Sequence, residues 1–170
     1  SQVINKLADF NDRILGKGVV RCADTPGFLA NRVGVFALQV GIDEAIRCEL
    51  PVEDADALMG RPMGIPKTGV FGLYDLIGID LMADVVKSLV SILPENDAFH
   101  KYSSPIEIMT DMIANGQTGN KNEKGFYKQV GDERQVIDLL SRNYVAHERL
   151  KNPLLEEAEK TGVSFIINDK

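Results

Sequence analysis

Asp24-Thr25-Pro26-Gly27-Phe28-Leu29-Ala30-Asn31-Arg32 joins a short apolar stretch, 19–22, to a long amphipathic run. The pattern predicts a strand over 19–22, a turn, and then a helix. Asp24 or Thr25 can cap the first free N–H groups of that helix, and the proline suits its first turn, where a missing donor costs little. Asn31 is expected about one and a half turns into the helix, where propensity alone would not select asparagine. Its amide is therefore either solvated, which the position alone favours, or placed to hydrogen-bond a ligand.

The composition is that of an ordinary globular protein, with 44% hydrophobic and 26% charged residues in a chain of 170. This length fits one domain with a sizeable core. No apolar run approaches the roughly 20 residues that span a bilayer, and no secretory signal is recognisable. The balance of 19 basic and 25 acidic residues gives a net charge of −6, which argues against a nucleic-acid-binding surface. We expect a cytoplasmic protein with no membrane span and no nucleic-acid partner.

The two cysteines, Cys22 and Cys48, are isolated in the sequence and show no metal-ligand spacing. Neither has a histidine nearby, so no metal site is predicted. Two such thiols are typical of buried, reduced cysteines in a cytosolic protein.

Most of the chain shows helical periodicity. Helices are predicted over 3–15, 27–49, 53–59, 73–93 with a break near Gly78, and 105–114, followed by a hairpin over 135–145 and a small helix over 153–160. The broad apolar face of 27–49 predicts a central helix buried on several sides, with Gly34 and Gly41 allowing close approach of a neighbour. Asp80 is expected to cap the helix that follows Gly78.

The predicted strand over 19–22 has no strand partner nearby in the sequence. Because an isolated strand leaves its backbone edges unpaired, we expect its sheet to lie in a part of the protein outside this chain. The chain also starts without Met, and its first residues have the pattern of the middle of a helix. We therefore expect it to be a segment of a longer protein. No strand–glycine–helix signature Gly-x-Gly-x-x-Gly for nucleotide binding occurs in it.

Three segments, in order, resemble the C-terminal domain of the 3-hydroxyacyl-CoA dehydrogenases, a family that includes multifunctional enzymes of fatty-acid β-oxidation. They are 24–32, with the pattern Asp-Thr-Pro-Gly-Phe-x-x-Asn-Arg; 72–80, Gly-Leu-Tyr-Asp-Leu-Ile-Gly-Ile-Asp; and 121–127, ending Gly-Phe-Tyr. The resemblance implies a mainly α fold similar to the C-terminal domain of 6-phosphogluconate dehydrogenase, with the Rossmann domain absent. It implies a helical domain over 1–128, in which 1–22 is a helix and strand abutting the missing Rossmann domain. Residues 129–170 are then a C-terminal extension or linker.

The family's reaction is hydride transfer between a 3-hydroxyacyl-CoA and NAD, which needs a histidine base and polar groups around the reacting oxygen. In the family, the histidine–glutamate pair and most of the NAD site belong to the Rossmann domain. This chain contains only His100 and His147, both expected to be exposed, so by itself it should be inactive. The resemblance implies that Asn31 is a polar contact to the substrate oxygen and the catalytic histidine. A neutral amide suits that role at any working pH.

Lys121 matches a family lysine that, by the resemblance, contacts NAD; a simple solvated lysine is an equal alternative. The sequence departs from the family here, because Asn122-Glu123 stands in place of Thr-Gly. It departs again at Gly69-Val70-Phe71, where the family has Gly-Pro-Phe, so the entrance to an acyl pocket is expected to differ in shape. Asp75, Gly78 and Asp80 are interpreted as structural, and Phe126-Tyr127 as a core anchor.

Three hypotheses follow. In the first, the chain is the substrate-side and subunit-contact domain of a bacterial NAD-dependent 3-hydroxyacyl-CoA dehydrogenase of the multifunctional type. Its partners would be an acyl-CoA, the Rossmann domain of the same protein, and either a second copy in a homodimer or an intramolecular repeat. In the second, it is a catalytically silent helical dimerisation module. In the third, it is the helical half of a β-hydroxyacid dehydrogenase that acts on small free acids.

Overall fold

The computed structural model describes residues 1–25, 27–147, 156, 157 and 160. Its α-helices are α1 (Gln2–Asp9), α2 (Phe28–Arg47), α3 (Val52–Leu58), α4 (Phe71–Ile77), α5 (Ile79–Ile92) and α6 (Glu107–Ala114). Its strands are β1 (Tyr127–Val130), β2 (Glu133–Ile137) and β3 (Tyr144–Ala146). A π-helical turn at Phe10–Ile14 and 3-10 turns at Arg61–Met63, Ala98–Tyr102 and Asn120–Asn122 complete the regular structure. The predicted mainly α fold class is confirmed.

The second half of α2 forms the centre of the core. Val35, Leu38 and Ile42 are buried, and a Cβ on Gly41 would lie 3.0 Å from the Met59 sulfur. The close approach predicted at Gly41 is therefore confirmed. At Gly34 the space is open, with nothing within 4 Å of such a Cβ. The prediction of a helix buried on several sides is wrong for the first two turns, because every residue from 28 to 34 except Arg32 is exposed.

Helices α4 and α5 are separated at Gly78, as the sequence predicts. Gly78 has φ +112°, a conformation that favours glycine, and its N–H donates to the Tyr74 carbonyl at 2.8 Å. The capping role predicted for Asp80 is wrong, because Asp80 lies inside the first turn of α5 and no side chain among the described residues caps this helix. The break turns the chain so that Phe71 and Ile79 are both fully buried.

The three strands form one antiparallel sheet in the order β1-β2-β3. The pairing of β2 with β3 confirms the predicted hairpin, and β1 adds a strand that the sequence did not predict. Val136 and Ile137 are buried in the same core as the helices. The boundary predicted after residue 128 thus falls within β1, and the division into two regions stays a prediction.

The segment before α2 lies apart from this core. Residues 15–25 are irregular, so the strand predicted over 19–22 is wrong for the described structure; no sheet edge lies there for it to pair with. Apolar side chains are exposed throughout the segment: Val3, Ile4, Leu7, Phe10, Ile14, Leu15, Val19 and Val20. Its apolar periodicity is therefore not used to bury surface within the described residues.

The predicted side-chain cap at the start of α2 is not formed. Neither Asp24 nor Thr25 caps α2 through its side chain; instead the Thr25 carbonyl accepts the Phe28 N–H at 3.1 Å. Pro26 lies outside the described residues, and so does most of the predicted helix over 153–160. Only Glu156, Glu157 and Lys160 of that helix are described, and all three are helical.

Both cysteines are free thiols, but they are exposed, so the expectation of buried thiols is wrong. In the described part of the chain, no helix combines the length and the apolar character needed to cross a bilayer.

Candidate functional site

Asn31 lies at the end of the first turn of α2, as its fourth residue, about half a turn earlier than expected. Its side chain is exposed and makes no hydrogen bond to any other described residue. The side chains around it in sequence are apolar and also exposed: Phe28 by 58%, Leu29 by 49% and Val33 by 61%. An unpaired amide thus stands within a largely apolar, uncovered surface.

Two contacts hold this first turn against the rest of the molecule. Gly27, with φ +81°, lies directly on α5, where a Cβ at this position would come within 2.8 Å of Leu89 Cδ2. Arg32 Nη2 donates to Asp97 Oδ2 at 2.5 Å, and both side chains are partly buried. The other oxygen of Asp97 accepts the Phe99 N–H at 2.9 Å at the start of the 3-10 turn Ala98–Tyr102.

Lys121 forms an ion pair that the sequence did not predict. Its Nζ donates to both carboxylate oxygens of Asp80, at 2.7 and 2.6 Å, and both side chains remain substantially exposed. The hydrogen bond from Lys121 lowers the pKa of Asp80. The pair connects the 3-10 turn Asn120–Asn122 to the first turn of α5 and keeps the ammonium next to Gly78, within 3.5 Å of where a Cβ would lie.

The two predicted site residues lie at opposite ends of α5. The turn that carries Asn31 rests on Leu89 through Gly27, whereas Lys121 binds Asp80. Asp80 and Leu89 are nine residues apart in one helix, which corresponds to about 13 Å along its axis. The structure therefore does not bring Asn31 and Lys121 into a common contact; only an extended ligand could reach both.

A cleft of about 900 Å³ lies on another part of the molecule, where α3, α4 and the sheet meet. Two buried carboxylates form its floor. Asp56 accepts the N–H groups of Phe71 and Gly72, at 2.7 and 2.9 Å, and the Tyr127 hydroxyl at 2.9 Å. Asp75 accepts the N–H groups of Phe126 and Tyr127, both at 2.8 Å. Burial raises the pKa of each carboxyl to about 6, against the opposing effect of these hydrogen bonds.

These carboxylates hold the fold together. Asp56 on α3 binds the start of α4, and Asp75 on α4 binds the start of β1, so Tyr127 is held by both. The structural role predicted for Asp75 is confirmed. Asp56 was missed, because its partners lie 15 to 71 residues away and no local pattern marks them. The guanidinium of Arg134 stacks over the Tyr127 ring at 4.0 Å, another contact without a sequence signal.

The two histidines do not occupy the exposed positions that were predicted. His147 lines the cleft, with its Nδ1 3.4 Å from Glu53 Oε1. His100 lies in the 3-10 turn Ala98–Tyr102, and its Nε2 is 2.9 Å from the Pro94 carbonyl oxygen. Both rings are partly buried. Within the described ranges, no group of three or more His, Cys, Asp or Glu side chains is placed to hold a metal ion.

Comparison with known proteins identifies the domain. A family model described as "3-hydroxyacyl-CoA dehydrogenase, C-terminal domain" matches residues 27–129. A Rickettsia prowazekii protein, named as a fatty acid oxidation complex trifunctional enzyme, is 42% identical over 141 residues, covering 82% of this chain and 20% of that protein. The human mitochondrial hydroxyacyl-coenzyme A dehydrogenase is 35% identical over 127 residues, covering 75% of this chain and 38% of that protein.

A solved structure supports the same assignment. The crystal structure of FadB2 from M. tuberculosis superposes with a TM-score of 0.56 at 27% identity, covering 74% of this chain and 42% of that one. The chain thus spans about a fifth of the Rickettsia relative and under half of the other two proteins. The chain belongs to the family of 3-hydroxyacyl-CoA dehydrogenase C-terminal domains.

Proposed function

We propose that this chain is the substrate-side and subunit-contact domain of an NAD-dependent 3-hydroxyacyl-CoA dehydrogenase, which oxidises 3-hydroxyacyl-CoA to 3-ketoacyl-CoA in fatty-acid oxidation. The catalytic histidine and most of the NAD site would be supplied by a Rossmann domain of the same protein. The chain alone would then neither bind the substrate productively nor catalyse the reaction. A homodimer or an intramolecular repeat would cover part of its exposed apolar surface.

The observation that carries this proposal is the surface around Asn31. The Asn31 amide, which has no hydrogen-bond partner among the described residues, lies in the first turn of a 20-residue helix, among the exposed side chains of Phe28, Leu29 and Val33. Exposed apolar patches of this kind mark contact surfaces, and an amide within one becomes a strong hydrogen-bond donor when the surface is covered. The free N–H groups of a helix start add a favourable field for an oxygen that carries developing negative charge.

The contribution of this chain to NAD binding would come from Lys121. When NAD is bound, it supplies the hydride acceptor for the reaction. The Lys121 side chain is about half exposed, and its Nζ donates to both carboxylate oxygens of Asp80, so the group is oriented and still accessible to an anionic ligand. This donor fits a phosphate-bearing cofactor as a point charge.

The test is the kinetics of acetoacetyl-CoA reduction by NADH in the full-length protein that contains this chain. Asn31→Ala should lower kcat about 100-fold, because one preorganised donor to the reacting oxygen is worth that much. The control is Asn143→Ala, at an exposed position in the turn between β2 and β3 with no side-chain hydrogen bond among the described residues. It should leave kcat unchanged.

Each alternative has its own signature in the same experiment. A silent dimerisation module would be indifferent to Asn31→Ala and would support no reduction of acetoacetyl-CoA when combined with its Rossmann half. A β-hydroxyacid dehydrogenase would turn over small free hydroxy acids in place of the CoA ester. An unchanged kcat in Asn31→Ala would refute the role of Asn31.

A further inference from the structure

We infer that the Arg32–Asp97 ion pair is the positioning device for Asn31: it fixes the orientation of the first turn of α2 and so the direction of the amide. This inference rests on the proposed function of Asn31 and adds residues to it. Neither Arg32 nor Asp97 touches the reacting atoms in this scheme. They act through the backbone of the turn.

Few other contacts hold that turn. No side chain in the described part of the chain caps the start of α2, and its first buried residue is Val35, the eighth of the helix. Phe28, Leu29 and Val33 are exposed by 49–61% and are not among the residues packed into or against the core. A helix end without a cap or a packed face frays readily, because its first N–H groups have no intrahelical partners.

The Arg32–Asp97 pair is better placed than an ordinary surface ion pair. Its side chains are 31% and 19% exposed, and the contact spans 65 residues of sequence. Asp97 is itself immobilised, because its second oxygen accepts the Phe99 N–H and Phe99 is fully buried. The guanidinium of Arg32 therefore binds a carboxylate that is fixed to the core.

The stem of Arg32 has a second function. A Cβ on Gly27 would lie 3.5 Å from Arg32 Cγ and 2.8 Å from Leu89 Cδ2, so Gly27 is enclosed between Arg32 and α5. The stem of the Arg32 side chain thus packs at the start of α2, next to α5, and its guanidinium binds Asp97. Asn31 is its neighbour in sequence, so rotation or fraying of this turn would move the amide directly.

The experiment is a double-mutant cycle in the full-length protein, with acetoacetyl-CoA reduction by NADH as the assay. Asp97→Asn retains an oxygen for the Phe99 N–H but turns an NH₂ group towards Arg32, so the ion pair is lost. We expect kcat to fall about tenfold with a small change in the KM for NADH, which is less than the roughly 100-fold that a misplacement of about 1 Å can cost. In the Asn31→Ala background, the same substitution should change kcat by less than about twofold, because the amide that it positions is gone.

Two further variants separate positioning from general stability. Arg32→Gln keeps the stem that packs on Gly27 and removes the charge, and it should reproduce the loss in kcat; Arg32→Lys should recover part of it. The matched control is Asp111→Asn, which breaks the ion pair of Asp111 with Arg142 that joins α6 to the turn before β3. It should leave kcat unchanged even if it lowers the melting temperature.

The outcomes distinguish this inference from the proposed function. If Asn31→Ala lowers kcat but Asp97→Asn and Arg32→Gln do not, the positioning role is wrong and the proposed function stands. If Asp97→Asn lowers kcat equally in both backgrounds, the pair acts through something other than Asn31, and the inference is again overturned. If Asn31→Ala has no effect on kcat, both fail together. Should Asp97→Asn not fold, the Arg32→Gln and Arg32→Lys pair decides the question by the same criteria.

Discussion

Residues 1–33 and the helical core beyond them are similarly apolar but use their apolar side chains in opposite ways. In the core, Phe71, Phe99 and Phe126 are fully buried. In the first region, Phe10 and Phe28 are exposed by 50% and 58%. Amphipathic periodicity therefore predicts which side chains belong to an apolar face, but it does not predict which part of the protein buries that face. In the proposed function, the covering surface is the Rossmann domain or a second helical domain.

The largest predicted contrast between the two regions is in the cost of removing an aromatic ring. Phe126→Ala removes a buried ring whose centroid lies 4.7 Å from that of Phe71, and it should lower the free energy of unfolding of the chain by about 3–5 kcal/mol. Phe28→Ala removes an exposed ring and should cost less than about 0.5 kcal/mol. Urea denaturation of both variants measures the difference. Similar losses in the two variants would mean that the first region is packed in solution.

An intermediate effect concerns pH and is confined to the core. Burial raises the pKa of Asp56 and of Asp75 to about 6, above the value of about 3.9 expected in the unfolded chain. Between these values the folded state binds more protons than the unfolded state, so these groups favour folding increasingly as the pH falls from about 6.5 to 4. A rise in pKa from about 3.9 to about 6 corresponds to a gain on the order of 3 kcal/mol for each carboxyl.

Its measurement is the free energy of unfolding as a function of pH, compared between the unsubstituted chain and Asp56→Asn. The variant should be less stable at every pH, because an NH₂ group then faces the donors that Asp56 accepts. Its stability should also gain less on acidification, since one of the two titrating groups is absent. Equal slopes in the two proteins would show that Asp56 titrates normally. Exposed Asp43→Asn, on α2, serves as the control and should keep the full slope.

The smallest predicted effect is the difference in stability between alanine substitutions at two glycines of α2. Gly34→Ala meets open space and should stabilise the chain by up to about 1 kcal/mol through helix propensity. Gly41→Ala would place a methyl 3.0 Å from the Met59 sulfur and 3.2 Å from Val70 Cγ2, so it should be neutral or destabilising despite the same gain in propensity. Thermal melting of the two variants orders them. A stabilising Gly41→Ala would show that α2 and α3 can separate at little cost.

The partners in the ion pairs, like the surfaces that bury the aromatic rings, could not be predicted from local sequence patterns. Lys121–Asp80 and Arg32–Asp97 each join residues far apart in sequence, by 41 and 65 positions. The resemblance pointed to Asn31 and Lys121, but no sequence pattern indicated that Asp80 would bind Lys121 or that Asp97 would hold the turn beside Asn31. Asp80 was interpreted as a helix cap because capping is a local property. In the structure a distant ammonium binds it instead.

The helices, the break at Gly78, the hairpin and the family could be predicted from the amino-acid sequence, because each of these depends on neighbouring residues or on a motif of a few positions. The three-dimensional structure was needed to establish which carboxylates are buried, which ion pairs form, and that Asn31 lies on an exposed apolar surface without a hydrogen bond to any other described residue. These features depend on contacts between residues 15 to 71 positions apart. Local periodicity carries no information on such contacts, since it constrains the face of an element and not the partner that the face meets.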